Sequence, residues 1–372
     1  MILARHYFAW TPLWFRPILL LAIMVTFSPN AHAFASAHSE DASSFADFNG
    51  ALRFNAGYAH FNSGPNRYLQ IDDTDRFMTT SVVRFISVGT IADRMDFELD
   101  AFGVFGSVPV AAGTAMTHAG LTRSTYRTRH LSSGTYQQSV FNGYGLDRAF
   151  IRITGERTNL SLGRMPINYS IASLFAVNDF FAPFSATSIN TVYKPGVDSA
   201  KLAIRTGDLS GIELVAAMGH DRRHSETDNV SARHSAVLLY AHRLAGPVDL
   251  GLTLGRLATK WMMGVSAQGD IGPISFYTEG HFAYSDGTDR GLRKIQNAEE
   301  TTPAVQGTAG LRWMTDWRQL TVSMEYAYLS NGVSVKDYGR RYEALAQHPD
   351  EFPYVGTQYG GIAASLALHP LL

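Results

Sequence analysis

The chain has 372 residues, and its 31 basic and 32 acidic side chains nearly cancel, giving a formal net charge of −1. This balance argues against a nucleic-acid partner, which a strongly basic surface would indicate. Cysteine is absent, which excludes a disulfide framework. The 33 glycines, 17 tyrosines and 22 phenylalanines favour β-strands joined by tight turns over helices.

The first 33 residues have the pattern of a secretory signal peptide. Arg5 and Arg16 precede an apolar run from Pro17 to Phe27, and the small-residue sequence Ala31–Ala33 follows it. The alternative is a short N-terminal anchor. We predict residues 1–33 as a cleaved signal peptide and residues 34–48 as a flexible periplasmic segment. No later run approaches the roughly 18 apolar residues of a membrane helix, so any spanning structure would be a β-barrel.

Residues 49–372 are predicted to form one barrel domain, because apolar and polar side chains alternate along fourteen segments. Most segments have about the 9–11 residues of a tilted membrane strand. They are Ala51–Ala59, Arg76–Val88, Arg94–Phe105, Gly145–Gly155, Leu160–Pro166, Val197–Ile204, Gly211–Gly219, Ser235–Leu244, Val248–Arg256, Trp261–Gln268, Ile274–Tyr284, Val305–Trp313, Leu320–Tyr328 and Tyr359–Leu368.

Alternation alone allows two structures. In a water-soluble sandwich the apolar face is the core, whereas in a membrane barrel it meets lipid and the polar face lines a wet lumen. The connections favour the barrel, because those after odd-numbered segments are mostly long and those after even-numbered segments are short, with Leu257–Lys260 as an exception. We predict a transmembrane antiparallel up-and-down β-barrel of about 14 strands.

The sequence from Leu160 to Ile167, Leu-Ser-Leu-Gly-Arg-Met-Pro-Ile, resembles a motif of Gram-negative porin-like outer-membrane barrels. The resemblance covers residues 146–204. It implies that the long loop after strand 5, Ile167–Gly196, folds into the lumen, with a constriction formed by Asn178, Asp179, Phe180 and Phe181. The resemblance also assigns Arg164 to the lumen, although strict alternation from Leu162 points it outward unless a bulge intervenes.

Two features depart from that family. Many outer-membrane barrels end on an aromatic residue that the barrel-assembly machinery reads, whereas this chain ends on Leu372. Fourteen strands are also fewer than the sixteen or eighteen of general porins.

Charged residues on the predicted polar faces suggest a lumen that acts on polar solutes. An acidic ladder facing arginines would create a transverse field, and the alternative is that these charges simply pair to fill a narrow lumen. The basic lining is predicted to comprise Arg53, Arg84, Arg148, Arg152, Arg164, Lys201, Arg205 and Arg312, and the acidic lining Asp96, Glu98, Asp100, Glu279 and Glu325.

We therefore expect a channel for small polar or anionic solutes, inserted in outer-membrane lipid. The sequence leaves open whether it is a monomer or a homo-oligomer. A non-conducting scaffold, assembly partner or adhesin is the alternative. An enzyme is not expected: Ser275, Glu279 and His281 share a strand face, but no Gly-x-Ser-x-Gly motif is present. Acidic loop tips lack the EF-hand spacing, so no metal or cofactor is predicted.

Overall fold

The computed structural model describes residues 2–9, 23–27, 35–38, 44–60, 75–107, 124–137, 140–182, 194–221, 228–285, 303–315, 320–330 and 358–365. In these ranges the regular structure is strand, apart from one 3-10 turn at Arg129–Leu131. None of the helical structure found there has the length and apolarity to cross a bilayer.

The described ranges contain twenty strands. They are β1 (Ile2–Ala9), β2 (Ile23–Phe27), β3 (Ala35–His38), β4 (Phe45–His60), β5 (Asp75–Ile91), β6 (Met95–Ser107), β7 (Ser132–Gln137), β8 (Val140–Thr154), β9 (Thr158–Met165), β10 (Val197–Gly207), β11 (Ser210–Ala217), β12 (His220–Asp221), β13 (Asn229–Val230), β14 (Ala236–Ala245), β15 (Val248–Leu257), β16 (Lys260–Ile271), β17 (Ile274–Ser285), β18 (Ala304–Met314), β19 (Thr321–Leu329) and β20 (Gln358–Ser365).

Fourteen of these strands form a continuous antiparallel meander. The order is β4-β5-β6-β8-β9-β10-β11-β14-β15-β16-β17-β18-β19-β20, each strand pairing with the next. Each predicted segment overlaps one of them, so the expected antiparallel architecture and strand number are confirmed. The short β7 pairs beside β8, and β12 pairs with β13 in a separate two-stranded sheet.

The first and last strands of the meander are linked through the N-terminal residues. The strand β1 pairs with β20 and with β2, and β2 pairs with β4, so the order of neighbours returns to its beginning. The strand β4 begins at Phe45, inside the predicted flexible segment, because its pairing with β5 extends to Thr90. The assignment of residues 1–33 as a signal peptide remains a prediction.

The strand wall is apolar on its outside and polar or tightly packed on its inside. On β15, the side chains of Leu250, Leu252 and Leu254 are exposed, whereas that of the intervening Thr253 is buried. A water-soluble sandwich would bury such a leucine face in its core. The exposed apolar face instead matches the lipid-facing surface of a membrane barrel.

Apolar packing lies inside the wall, where one long loop enters. Ile167, Tyr169 and Phe181 of this loop pack with Val215 and Leu238 of β11 and β14 in the larger cluster. A smaller cluster joins Leu174 and Phe175 of the same loop to Ala327 and Leu329 at the outer half of β19. The core of this protein is therefore a loop packed against the inner face of a strand wall.

Candidate functional site: the inward loop and the charged inner wall

Residues 166–182, called the inward loop below, cross the interior. The loop leaves β9 at Met165, and its hydrogen bonds reach the inner faces of β16, β17, β18 and β19, far along the meander. The predicted inward folding of the connection after the fifth strand is confirmed. Residues 183–193, which continue the predicted loop, lie outside the described ranges.

Glu279 on β17 anchors the loop at its first turn and again near its tip. It is only 3% exposed. Its carboxylate accepts hydrogen bonds from the Ser170 hydroxyl (2.8 Å) and from the backbone N–H groups of Ile171 (2.6 Å), Ala172 (3.2 Å) and Asn178 (3.0 Å). Converging donors of this kind offset the cost of removing a carboxylate from water.

Glu325 on β19 anchors the middle of the loop in the same way. Its carboxylate accepts the backbone N–H groups of Ser173 (2.6 Å), Leu174 (2.9 Å) and Phe175 (2.9 Å), and the hydroxyl of Tyr277 (2.7 Å). Alternation placed both glutamates on the inner face, but the loop covers them. They are anchors beneath the loop and not acidic residues of an open lining.

Asn178 and Asp179, predicted as constriction residues, are buried by contacts with the wall. The Asn178 side-chain amide donates to the carbonyl of Val265 at 3.0 Å. Asp179 forms an ion pair with Lys194, and the Lys194 ammonium also donates to the carbonyl of Ala182 at 3.1 Å. The Asn178 amide and one carboxylate oxygen of Asp179 thus hold the loop in place, whereas the other oxygen of Asp179 is buried without a hydrogen-bond partner among the described residues.

The two phenylalanines predicted for the constriction have different environments. Phe181 is buried, and its ring contacts Tyr126 edge-on with centroids 5.3 Å apart. Phe180 is half-buried and contacts the imidazole of His281 edge-on at 5.4 Å. Of the four predicted constriction residues, Phe180 therefore keeps the most exposed side chain.

A buried charge cluster occupies the inner face of β5, β6 and β8. One guanidinium nitrogen of Arg84 lies 2.8 Å from the carboxylate of Asp100 and 2.7 Å from that of Asp147. The other oxygen of Asp147 accepts from Arg127 at 3.0 Å. All four side chains are buried. Arg84 and Asp100 were predicted to line the lumen. Both side chains point toward the interior, but they are buried in a network of ion pairs and not exposed to a solvent-filled lumen, because a buried charge requires a partner.

Asp147 reaches this cluster through a β-bulge. Asp100 pairs with Arg148 and Ala101 pairs with Leu146, so Asp147 has no partner on β6. Strict alternation from Ala149 would point it outward. The extra residue resets the alternation and turns the carboxylate inward.

Arg164 is held by a second ion pair near the outer ends of β9 and β10. Its guanidinium binds the carboxylate of Asp198 through two nitrogens, at 2.7 and 2.9 Å, and donates to the carbonyl of Thr128 at 3.2 Å. The preceding Gly163 has a φ of +123°. The side chain is 2% exposed, so the structure places Arg164 in a covered contact and not on an open lining.

The other predicted lining residues are more accessible. Three basic side chains are half-buried and contact partners: Arg148 pairs with Glu98 at 2.9 Å, Lys201 pairs with Glu213 at 3.6 Å, and Arg312 donates to the Ser173 hydroxyl and lies 5.3 Å from the Tyr277 ring centroid. Arg53 is half-buried on β4, and Asp96 accepts a hydrogen bond from the Thr90 hydroxyl at 2.9 Å. The remaining two arginines are exposed: Arg152 lies beside the Phe150 ring, and Arg205 donates to the Glu156 carbonyl.

Burial changes the titration of basic groups in the connections. Burial lowers the pKa of Lys194, although the neighbouring Asp179 carboxylate opposes the change. Burial likewise lowers the pKa of Arg127, and the attraction of Asp147 opposes it. In both cases the carboxylate partner offsets part of the cost of burying the positive charge.

Sequence reasoning missed the residues that lock the connections to the wall. Asp147 was not selected because the bulge is invisible to a strict alternation count. Arg127 and Tyr126 lie in residues 124–131, which were treated as part of a long outer loop. The segment instead returns to the wall, with Tyr126 accepting from the Asp198 amide and Ser124 donating to the Phe181 carbonyl at 2.5 Å.

These features together define the class of protein. The described chain has fourteen paired antiparallel strands, an apolar outer face, short turns at one end and a long loop that folds inward. This is the architecture of a porin-like outer-membrane β-barrel.

No protein-family model and no curated protein sequence matches the chain. Among solved structures, it is similar to the outer membrane protein OpdK of Pseudomonas aeruginosa, with 10% identity, a TM-score of 0.48, and coverage of 98% of this chain and 97% of that chain. It is similar to OccK2 (OpdF) of Pseudomonas aeruginosa in complex with glucuronate, with 9% identity, a TM-score of 0.44, and coverage of 99% and 97%. A triple mutant of the Rhodopseudomonas blastica porin has 8% identity, a TM-score of 0.43, and coverage of 98% of both chains.

Proposed function

We propose that the protein is a porin-like channel of the outer membrane for passive passage of small polar or anionic solutes. The observation that carries this proposal is the inward loop, which spans the interior and is anchored by Glu279 and Glu325. A loop fixed in this way narrows a lumen without filling it with a separate domain. Fourteen strands lie between the roughly eight that give a filled interior and the roughly sixteen that give an aqueous channel.

The basic side chains of the inner wall support a preference for anions. Arg148 and Lys201 are half-buried and each contacts a carboxylate, and Arg312 contacts the neutral groups of Ser173 and Tyr277. A partly desolvated guanidinium next to neutral groups attracts anions more strongly than one in bulk water.

The proposed channel would reach the outer membrane by export and insertion. Residues 1–33 would direct the chain across the inner membrane and be cleaved, and the barrel-assembly machinery would insert the strands. Cleavage would remove β1 and β2 from between β20 and β4, so these two strands of the mature barrel would pair directly. The apolar outer face would then contact outer-membrane lipid. In this account the protein has no enzymatic activity, since the Glu279 carboxylate of the Ser275, Glu279 and His281 set is engaged by loop amides.

The second candidate is a non-conducting barrel that acts as a scaffold or adhesin. The observation that favours it is the buried cluster of Arg84, Asp100, Asp147 and Arg127, which packs one side of the interior instead of leaving it wet. A plugged lumen would make the outer connections the functional surface.

Single-channel conductance of the refolded mature protein in a planar bilayer separates the two candidates. The channel predicts stable current steps with a reversal potential that shows anion preference under a salt gradient. Arg312→Ala and Arg148→Ala should weaken that preference, whereas Arg157→Ala, in an exposed turn, should leave it unchanged. A folded, heat-modifiable barrel that gives no steps would exclude the open pore and favour the scaffold.

A further inference from the structure

The outer end of β15 carries an arginine on the lipid-facing side of the strand wall. Arg256 follows Leu250, Leu252 and Leu254 at two-residue spacing, and its side chain is exposed like theirs. The next residue, Leu257, packs against the larger apolar cluster inside the wall, so Arg256 points to the outside. A basic side chain on this face requires a polar or charged partner, because the hydrocarbon of a bilayer offers none.

Exposed aromatic rings lie beside this arginine and mark its depth in the bilayer. Arg256 pairs across the sheet with Val237 on β14 and with Trp261 on β16, and Trp261 pairs with Tyr284 on β17. The side chains of Trp261 and Tyr284 are 61% and 43% exposed. Such rings on the outside of a membrane barrel lie at the level of the lipid headgroups. Because this end of the wall is opposite the short turns, the headgroups beside Arg256 are those of the outer leaflet.

The guanidinium of Arg256 is held in place with its donors available. Its Nε donates to the carbonyl of Ala258 at 2.8 Å, which fixes the group against the turn between β15 and β16. The two terminal nitrogens have no hydrogen bond to any residue that the structure describes. A pair of guanidinium N–H groups matches the spacing of two phosphate oxygens.

The charges around Arg256 have one sign. Residues 229–241, 251–267 and 280–285, which form the outer ends of β14 to β17 and the turns beside them, include Arg233, Arg256 and Lys260 but no acidic residue. Arg233 is exposed in the turn before β14, and this turn contacts the next one through a hydrogen bond from the Ala258 amide to the Ser235 carbonyl at 3.1 Å. This part of the outer rim therefore complements a negatively charged headgroup.

We propose that Arg256 and Trp261 form a binding site for the phosphate group of a phosphorylated lipid in the outer leaflet. The acyl chains of that lipid lie over Leu254, Met263 and Val265, which are exposed on the same face toward the middle of the wall. The connection above the site is short, since only Ala258 and Thr259 separate β15 from β16, and it leaves space for a headgroup. The site is on the outside of the wall, so it does not depend on conduction through the lumen.

Native mass spectrometry of the refolded protein in detergent measures lipid binding without requiring a current. Lipid A, which carries phosphate on a sugar headgroup, is the probe, and phosphatidylcholine, whose phosphate is balanced by a choline cation, is the comparison lipid. The protein should bind lipid A more tightly than phosphatidylcholine. Arg256→Gln should weaken lipid A binding roughly 5-fold, the effect of one basic residue near anionic lipid, and should leave phosphatidylcholine binding unchanged.

A matched variant separates this site from general attraction between arginine and lipid. Arg243 is exposed at the periplasmic end of the neighbouring β14, where it pairs with Leu250. Arg243→Gln should leave lipid A binding unchanged, and both variants should remain heat-modifiable like the parent. The proposal is overturned if lipid A binds no better than phosphatidylcholine, if Arg256→Gln binds lipid A as tightly as the parent, or if the two variants weaken binding equally. Displacement of lipid A by millimolar inorganic phosphate would also overturn it, because the site would then take a free anion.

Discussion

Glu279 and Glu325 show how a buried carboxylate can organise backbone. Each is surrounded by N–H groups of the inward loop and sits on a strand far from that loop in sequence. Leaving such donors without an acceptor costs about 1–3 kcal/mol for each buried group. The loop geometry therefore depends on two side chains of the wall more than on its own sequence.

Glu279→Ala should release the inward loop. The amides of Ile171, Ala172 and Asn178 would lose their shared acceptor, and detachment would rehydrate them. We expect larger single-channel conductance and faster chymotrypsin cleavage within the loop. Glu156→Ala, in an exposed turn, is the control and should change neither property. Unaltered conductance and cleavage in Glu279→Ala would contradict the anchoring role.

Asp147→Ala should destabilise the barrel more than removal of any exposed aspartate. Arg84 and Arg127 would both lose a carboxylate inside the protein, and breaking a buried ion pair costs about 3–5 kcal/mol. Urea unfolding in lipid vesicles measures this loss. Asp208→Ala, at an exposed turn, should stay within about 0.5 kcal/mol of the parent. Equal stabilities of the two variants would argue that the cluster is solvated.

At the scale of single elements, β9 illustrates where alternation succeeds and where it fails. Leu162 points outward as expected from its spacing, and Ser161 points inward. Gly163 then adopts a φ of +123°, which side chains with a Cβ rarely adopt, and Arg164 follows it into a buried contact with Asp198. The irregular residue permits the ion pair.

Gly163→Ala should lower the unfolding free energy of the barrel by straining β9. The new Cβ would lie 2.9 Å from the Phe150 Cα, and the positive φ adds strain of about 1–3 kcal/mol. We expect a corresponding loss of unfolding free energy in vesicles. Gly103→Ala on β6 is the matched control, because a Cβ there meets nothing within 4 Å. A parental stability for Gly163→Ala would show that the strand can relax without cost.

The sequence predicted the elements better than their contacts. Period-two alternation is local, so the positions of strands such as β15 and the outward face of Leu252 could be inferred directly. The partners of Glu279 lie about a hundred residues earlier in the chain, and no local pattern connects them. Asp147 was missed for a different reason. The β-bulge inserts one residue into β8, so side chains beyond it point to the opposite face from the one that strict alternation predicts.

At the scale of the whole molecule, the apolar outer face should behave as a lipid contact. Leu252→Arg, at the middle of β15, should cost about 2–4 kcal/mol of unfolding free energy in vesicles. Leu209→Arg, in the exposed turn between β10 and β11, should cost about 0–1 kcal/mol because charge is tolerated near the interface. Equal costs at the two positions would argue against a bilayer across the centre of the strand wall.

The anchoring of the inward loop also bears on the order in which the protein matures. The loop is synthesised with β9, but its acceptors arrive only with β17 and β19. Contacts between such distant parts of a chain form late, because the intervening chain must first be ordered. In a nascent barrel that lacks its last strands, the backbone N–H groups of the loop would have no carboxylate acceptors, and the loop would not be anchored to the wall. Closure of the lumen to its final width is therefore a consequence of completing the C-terminal half of the barrel.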